Sequence, residues 1–205
     1  REKLGNRVLV AAGGPHATAC PEEVLAAGAD IVFRGEAEFS FPAVLKNLVE
    51  GQDVRGVQDS PSPVCLDAFM SISPPRGMFG PIEITRGCVF ACNYCQTSRI
   101  FGVKLRHRGI DSIAAQAAAL RSGHRKIVRL LSPNAFSYGS PDGRSLNLTA
   151  LRDLLATLRR TVTASGKILF VHFPSEARPE HVTHETLSLL REFADNDEIV
   201  IGAQS

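Results

Sequence analysis

The sequence predicts an α/β protein built on parallel sheets. Short apolar runs typical of buried strands alternate with amphipathic segments of helical length along the 205 residues. Long helical segments separate the strands of the second half, and parallel strands require crossover connections of that kind. The length fits one large domain or two small ones, and a hydrophobic fraction of 44% is enough to form a buried core.

The amino-terminal series contains two predicted strands and two predicted helices. The strands are the apolar runs 7–12 and 30–33, and the helices are 21–27 and 40–50. Proline at the start and glycine after the end are typical of the first helix's boundaries. Two strands are too few for a stable parallel sheet. We therefore expect residues 1–55 to be the carboxyl-terminal part of a longer domain.

Residues 56–80 differ in composition from the segments on either side. Prolines and glycines interrupt this stretch repeatedly, at Pro61, Pro63, Pro74, Pro75, Gly77 and Gly80. Such residues punctuate regular structure. We expect an extended linker here rather than a folded element.

A second strand–helix series occupies residues 81–205. The predicted strands are 82–85, 126–131, 168–173 and 198–203, and the predicted helices are 112–122, 149–165 and 183–195. Thr149 is a candidate N-cap for the longest helix. The order β-α-β-α-β-α-β indicates a parallel α/β barrel or a wound sheet. Because the series stops on its fourth strand, we expect the domain to be truncated at its carboxyl end.

Charge, hydropathy and cysteine content narrow the class of protein. A net charge of +2 is too small to indicate nucleic-acid binding, and no apolar run approaches the roughly 20 residues of a membrane span. The opening residues lead into a short predicted strand, so we expect no signal peptide there. An odd number of cysteines, with three crowded together, favours metal binding in a reducing compartment, so we expect a cytoplasmic protein; the five are Cys20, Cys65, Cys88, Cys92 and Cys95.

The cysteine loop, residues 88–95, has the spacing C-x3-C-x2-C and directly follows a predicted strand. Three thiolates can each bind one iron of a 4Fe-4S cluster, which leaves the fourth iron open to a small molecule. Gly87 allows a tight turn into the loop, and parallel α/β folds place their chemistry at the carboxyl ends of strands. The alternative is a zinc ion held by the same thiolates and a histidine, for which His107 is the nearest candidate.

The loop resembles the radical S-adenosylmethionine superfamily, whose signature is this spacing with an aromatic residue before the third cysteine, here Tyr94. The resemblance implies metal ligation by Cys88, Cys92 and Cys95. It implies that the open iron chelates the methionine amine and carboxylate of S-adenosylmethionine. An electron, supplied by a donor such as flavodoxin or ferredoxin, then breaks a sulfur–carbon bond and releases a 5′-deoxyadenosyl radical that abstracts hydrogen from the substrate.

The same resemblance implies cofactor-binding residues at the ends of later strands. Tyr94, Ser132 and Asn134 are expected near the cofactor, although Ser-Pro-Asn replaces the glycine-rich segment usual at this strand end. Ser175 and Glu176 match positions that bind the cofactor ribose, and Gln204 follows the fourth strand. The alternatives are an ordinary turn in which Asn134 caps its own backbone, and a solvated loop at Glu176.

A basic run follows the cysteine loop: Arg99, Lys104, Arg106, His107 and Arg108. It could neutralise the cofactor carboxylate or a substrate phosphate, with Arg106 and Arg108 as the first candidates, or it could be a solvated charged loop.

The segment Asn134-x-x-Ser137-Tyr138-Gly139 is similar to the corresponding segment of methylthiotransferases and of radical enzymes with a cobalamin-type domain.

Two amino-terminal motifs extend the resemblance. Gly13-Gly14-Pro15-His16 and Gly35-Glu36-Ala37-Glu38 resemble the back half of the cobalamin-binding-type domain that precedes the barrel in one branch of the superfamily. The implied organisation is a Rossmann-like cobalamin-binding-type part at 1–55, a linker at 56–80, and a partial radical S-adenosylmethionine (β/α) barrel of about four strands at 81–205. The axial-ligand motif Asp-x-His-x-x-Gly is absent from this sequence, so cobalamin stays an open expectation and His16 is predicted to be a surface histidine.

Three functional hypotheses follow. The first is a radical S-adenosylmethionine enzyme, with a cobalamin-dependent methyltransferase as one form of it. The second is a methylthiotransferase-like radical enzyme, which would carry a second cluster on three more cysteines, whereas only Cys20 and Cys65 remain. The third is a non-enzymatic zinc-binding module.

Overall fold

The computed structural model describes residues 8–61 and 63–202. The chain has an α/β fold with parallel sheets and forms two compact units. The amino-terminal unit comprises Arg1–Val64 and Asn93–Phe101, and the carboxyl-terminal unit comprises Cys65–Cys92 and Gly102–Ser205. The predicted α/β class is confirmed, whereas closure into a barrel and the domain boundaries at 55 and 80 stay predictions.

The elements of the described residues follow one another as strands and helices in chain order. They are β1 (Ala11–Ala12), α1 (Pro15–Ala19), α2 (Pro21–Ala26), β2 (Ile31–Arg34), α3 (Ser40–Val49), β3 (Gly56–Asp59), β4 (Ile82–Glu83), β5 (Thr85–Arg86), α4 (Thr97–Phe101), β6 (Arg106–His107), α5 (Ile110–Ser122), β7 (Ile127–Leu131), α6 (Leu148–Val162), β8 (Lys167–Leu169) and α7 (His184–Phe193). In the described part of the chain, no helix is both long and apolar enough to cross a membrane.

The amino-terminal unit contains a three-stranded parallel sheet in the order β1-β2-β3. Ile31 and Phe33 of β2 point to the same face because side chains alternate along a strand. Both are buried in a cluster with Val44 of α3 and with Val54.

The strand β3 corrects the expectation of an unfolded linker at its beginning. Its residues pair in parallel with β2, from Ile31 opposite Gly56 to Arg34 opposite Asp59. At the end of this ladder, Arg34 Nε lies 2.5 Å from Asp59 Oδ1. The sequence Gly-Val-Gln-Asp has no apolar run, so its strand conformation depends on a partner distant in the chain.

The carboxyl-terminal unit contains a parallel sheet in the order β4-β7-β8 and a separate antiparallel pair, β5 with β6. The helices α5 and α6 connect the neighbouring parallel strands, as expected for β-α-β units. Helix α6 buries one face at helical spacing, formed by Leu151, Leu154, Leu155, Leu158 and Val162. That face belongs to the main core of this unit.

The helix α6 begins earlier than predicted, and Thr149 is not its N-cap. Asn147 occupies that position, and its side-chain oxygen accepts a hydrogen bond of 3.0 Å from Ala150 N. Asparagine and threonine are both good caps, so composition alone did not decide between them.

The predicted fourth strand at 198–203 is reduced to one parallel bridge, between Ala177 and Ile201, in the residues described. The predicted third strand is also shortened, since β8 ends at Leu169 and Val171 adopts a left-handed φ of 54°. Phe170 bonds the Asn196 side chain instead of a neighbouring strand. Asn196 Oδ1 accepts from Phe170 N at 3.1 Å, and Asn196 Nδ2 donates to Phe170 O at 2.7 Å.

Candidate cysteine-loop site

The segment that carries the cysteines is flanked by the strands β5 and β6, which pair in antiparallel fashion. Thr85 lies opposite His107, and Arg86 lies opposite Arg106. Cys88 N donates a hydrogen bond of 3.1 Å to Gly102 O. The pair therefore fixes both ends of the segment that carries the cysteines.

Gly87 is required by the turn that precedes Cys88. Its φ is +90°, and a β-carbon added there would lie 2.4 Å from Lys104 O. A left-handed φ favours glycine, and so close an approach to a carbonyl excludes other residues.

The three cysteines predicted as metal ligands are all free thiols of intermediate exposure. Cys95 Sγ donates to Thr97 Oγ1 at 3.3 Å. Three free thiols are the correct donor set for a cluster with one open iron. In the chain as described, no group of three His, Cys, Asp or Glu side chains is close enough to hold a metal ion. The ligand role of the cysteines therefore stays a prediction from spacing and donor chemistry.

Phe90, between the first two cysteines, contacts two arginines of the same unit. The Arg178 guanidinium lies 3.9 Å from its ring centroid and that of Arg144 lies 5.0 Å away. Arg144 Nη2 also donates to Val89 O at 3.5 Å. Cation–π contacts of this kind stabilise by about 0.5–1 kcal/mol at exposed sites. We call this arrangement the Phe90 clamp.

Gly143, next to Arg144 of the clamp, allows the backbone to lie close to Val89 of the cysteine loop. Its φ is +74°, and an added β-carbon would lie 2.7 Å from Val89 Cγ1 and 2.8 Å from Leu105 Cδ1. The neighbouring Asp142 orders the turn, because its carboxylate accepts from the N–H groups of Arg144 and Ser145. These bonds hold the pKa of Asp142 far below its ordinary value.

Ser132 and Ser175, two predicted cofactor-binding residues, are joined by a hydrogen bond where β7 ends. Ser132 N donates to Ser175 Oγ at 2.8 Å, and Ser175 Oγ donates to Leu130 O at 2.8 Å. Ser132 Oγ donates to Asn134 O at 3.0 Å. Both serines are buried. The Ser175 hydroxyl group holds the chain that follows β8 against the end of β7, whereas the Ser132 hydroxyl group bonds within its own loop.

Asn134 is buried and bonded on both sides of its amide. Its Nδ2 donates to Ser137 Oγ at 2.5 Å and to His181 Nδ1 at 2.9 Å, and its Oδ1 accepts from Arg178 N at 3.3 Å. His181 Nε2 lies 2.7 Å from Arg144 O, which can only accept. These partners require the His181 tautomer with hydrogen on Nε2.

The structure thus brings three predicted cofactor residues together beside the cysteine loop. Asn134 lines a narrow cleft with Cys88, and the rest of that cleft includes Thr85, Val89, Phe90, Leu105, Ser137 and Gly143. Asn134 also bonds residues distant in the chain, His181 and Arg178, whereas the alternative was a local turn in which Asn134 caps its own backbone. Glu176 is half-buried, and its carbonyl accepts from Ala135 N at 2.8 Å. Cofactor binding by these residues stays a prediction.

The two remaining predicted cofactor residues are Tyr94 and Gln204. Tyr94 is 59% exposed and lines a cavity of about 300 Å3 in the amino-terminal unit with Cys95, Arg99 and Thr18. Gln204 lies outside the described residues.

Arg108 is not available to bind an anion, which corrects one reading of the basic run. Its side chain is buried and donates to the carbonyls of Glu83, Leu66 and Phe69. These bonds tie the segment before β4 to the sheet. Burial lowers the pKa of Arg108, and the nearby Glu83 carboxylate opposes that change.

His107, the candidate fourth zinc ligand, lies on β6 opposite Thr85 of β5. Its Nδ1 lies 3.0 Å from Thr85 Oγ1, and its ring meets the Tyr138 ring edge-on. Burial lowers its pKa, which a backbone contact with Ser140 opposes. Its Nε2 is buried and has no hydrogen-bond partner of normal geometry among the described residues.

The amino-terminal motifs form contacts within their own unit. Glu36 is buried, and its Oε2 accepts from Val64 N at 3.1 Å. Gly35 N donates to Thr18 Oγ1 at 3.1 Å. His16 has a side chain that is 68% exposed, which confirms the predicted surface position, although it lies on the helix α1.

Sequence reasoning missed Phe90, Arg144, Arg178 and His181. His181 contacts residues 37 and 47 positions away, and Arg144 contacts one 55 positions away. No local pattern marks such partners. The dipeptide Asp142-Gly143 is typical of a turn and was the one available signal.

Comparisons with known proteins identify distant relatives. No protein-family model matches the chain. A protein named as an uncharacterized methyltransferase in Synechocystis sp. is 33% identical over 118 residues, which is 52% of this chain and 20% of the relative. Another of that name in Pyrococcus horikoshii is 24% identical over 148 residues, 58% of this chain and 32% of the relative. The ribosomal protein uS12 methylthiotransferase RimO of Francisella philomiragia is 28% identical over 104 residues, 48% of this chain and 22% of the relative.

The chain is therefore similar, at low identity, to proteins named as methyltransferases and methylthiotransferases. It spans about a fifth to a third of the length of these curated relatives. The names of these relatives agree with the resemblance to the radical S-adenosylmethionine superfamily at the level of methyl- and methylthio-transfer enzymes.

Proposed function

We propose that this chain carries the cluster-binding part of a radical S-adenosylmethionine enzyme, with a 4Fe-4S cluster on Cys88, Cys92 and Cys95. The observation that carries the proposal is the C-x3-C-x2-C spacing of three free cysteines directly after the strand β5. The relatives named as methyl- and methylthiotransferases support it. The proposed cofactors are the cluster and S-adenosylmethionine, with cobalamin as a further candidate.

The cluster would supply the electron that cleaves S-adenosylmethionine reductively. The chain's own residues would hold the loop in shape. Gly87 provides the turn into Cys88, and the Phe90 clamp restrains the residues between Cys88 and Cys92. Preorganisation of this kind reduces the ordering that ligand binding must otherwise supply.

The proposed contacts of S-adenosylmethionine are Tyr94, Ser132, Asn134, Ser175, Glu176 and Gln204. Ser132, Asn134 and Ser175 support their own loops through internal hydrogen bonds, so their role would be to shape the backbone around the cofactor. The Glu176 carboxylate has the chemistry to accept hydrogen bonds from ribose hydroxyls. A flavodoxin or ferredoxin is the proposed electron donor.

The test is product formation by the chain after anaerobic reconstitution with iron and sulfide. With dithionite and S-adenosylmethionine, we expect release of 5′-deoxyadenosine and methionine, and loss of this release in Cys95→Ala. Cys65→Ala, which lies outside the loop, serves as the matched control. Stoichiometric zinc with no 5′-deoxyadenosine would refute the proposal and leave the zinc-binding module as the function.

A methylthiotransferase is the second candidate, favoured by Asn134-x-x-Ser137-Tyr138-Gly139 and by the uS12 methylthiotransferase relatives. Iron analysis of the reconstituted full-length protein separates the two. A single cluster gives about four iron atoms per chain, whereas a methylthiotransferase with a second cluster gives about eight.

A further inference from the structure

A cavity of about 460 Å3 lies where the strands β4 and β7 begin. It is lined by residues just before β4, by the end of α5, by the turn that follows α5 and by the start of β7, including Phe79, Leu120, His124, Arg125, Lys126 and Arg129. None of its lining residues lines the cleft beside Cys88. The cavity is therefore separate from the cysteine-loop site.

The polar side of this cavity is basic. His124, Arg125, Lys126 and Arg129 are all exposed, and the lining includes no carboxylate. Within the described ranges, no salt bridge joins any of the four to an acid. Unpaired cations around a concave surface attract anions.

The apolar side fixes the orientation of one arginine. The Arg125 guanidinium stacks over the Phe79 ring, 4.5 Å from its centroid. The ring is tightly seated, because a β-carbon at Gly123 would come within 2.6 Å of it. Stacking of its face leaves the N–H edge of a guanidinium able to form paired bonds to phosphate.

His124 has a backbone conformation that glycine would satisfy better. It follows the end of α5 with a φ of 62°, the position at which helices commonly use glycine. A strained non-glycine residue that lines a basic cavity is consistent with a binding role for its side chain.

We propose that this cavity binds a phosphate-bearing small molecule about the size of a mononucleotide. Its volume falls in the range of small-molecule sites, about 300–1,000 Å3. Its cations, Arg125 and Lys126 of one short turn and Arg129 of the strand that follows, form a compact group rather than an extended stripe, and the net charge of the chain is only +2. Both features favour a compact phosphate ligand over a nucleic-acid backbone. The proposal does not depend on the cluster.

The test is calorimetric titration of the full chain, without reconstitution, using ADP, inorganic pyrophosphate and adenosine. We expect ADP and pyrophosphate to bind and adenosine, which has no phosphate, to give no heat. Arg125→Gln with Arg129→Gln should weaken ADP binding by at least about tenfold. The matched control is Arg160→Gln with Arg191→Gln, two exposed arginines of α6 and α7, which should leave the affinity unchanged.

A second variant separates binding from folding. His124→Gly should weaken ADP binding while the midpoint of thermal unfolding stays equal or rises, since glycine relieves the left-handed backbone. The proposal is overturned if neither ADP nor pyrophosphate binds at millimolar concentration, or if the double variant binds as the parent does while melting normally. Tighter, steeply salt-dependent binding of a single-stranded oligonucleotide would also overturn it, in favour of a nucleic-acid surface.

Discussion

Gly143 connects backbone conformation to the shape of the cysteine loop. Gly143→Ala should destabilise the fold by about 1–2 kcal/mol through its left-handed φ, and by about 1–3 kcal/mol more through collision with Val89 and Leu105. Gly77→Ala is a matched control, because Gly77 has a φ of +68° but no atom within 4 Å of an added β-carbon. Denaturant unfolding measures both variants. Equal losses of unfolding free energy in the two variants would show that the collision with Val89 adds no destabilisation.

His107 should make stability depend on pH. Burial holds its pKa below the ordinary 6.5, so the folded chain binds this proton less readily than the unfolded chain. The resulting stability is fully present above about pH 6.5 and is lost as pH falls through the lowered pKa.

We therefore expect His107→Gln to show a smaller drop in thermal midpoint than the parent between about pH 7.5 and pH 5. Glutamine retains a hydrogen-bonding side chain near Thr85 without the titration. His16→Gln, at an exposed histidine, controls for loss of a histidine alone. An identical drop in the parent and in His107→Gln would contradict the assignment.

The start of α6 provides a test of capping. Asn147→Ala removes the bond to Ala150 N and the 2.8 Å bond from Asn147 Nδ2 to Gly139 O. The expected cost is about 1–2 kcal/mol. Thr149→Ala, at the position that sequence reasoning chose, should cost only a few tenths of a kcal/mol or less. Urea denaturation measures the free energy of unfolding of both variants. A larger loss in Thr149→Ala than in Asn147→Ala would show that Thr149 is the cap.

Elements with a strong periodic pattern were predictable from the sequence, and elements maintained by distant partners were not. The face of α6 repeats leucine at helical spacing, so its existence was clear while its cap was not. The strand β3 has no apolar run and depends on pairing with β2. At the end of the predicted third strand, the Asn196 side chain bonds both backbone groups of Phe170 in place of a neighbouring strand, and no local pattern indicates this.

At the scale of the whole molecule, the sequence predicted two series of β-α units, and each compact unit contains a parallel sheet. For the site, the spacing of the cysteines was visible because it is local. The contacts that support it were not, because Phe90, Arg144 and Arg178 come from segments far apart in the chain.

The most direct test of the central claim is metal analysis and electron paramagnetic resonance after anaerobic reconstitution of two variants. In Cys20→Ala with Cys65→Ala, only the loop thiols remain, and we expect about four iron atoms per chain with the signal of a reduced 4Fe-4S cluster. In Cys88→Ala with Cys92→Ala and Cys95→Ala, we expect neither. Equal iron in both variants, or stoichiometric zinc in place of iron in the first, would contradict the assignment of the cysteine loop as a cluster site.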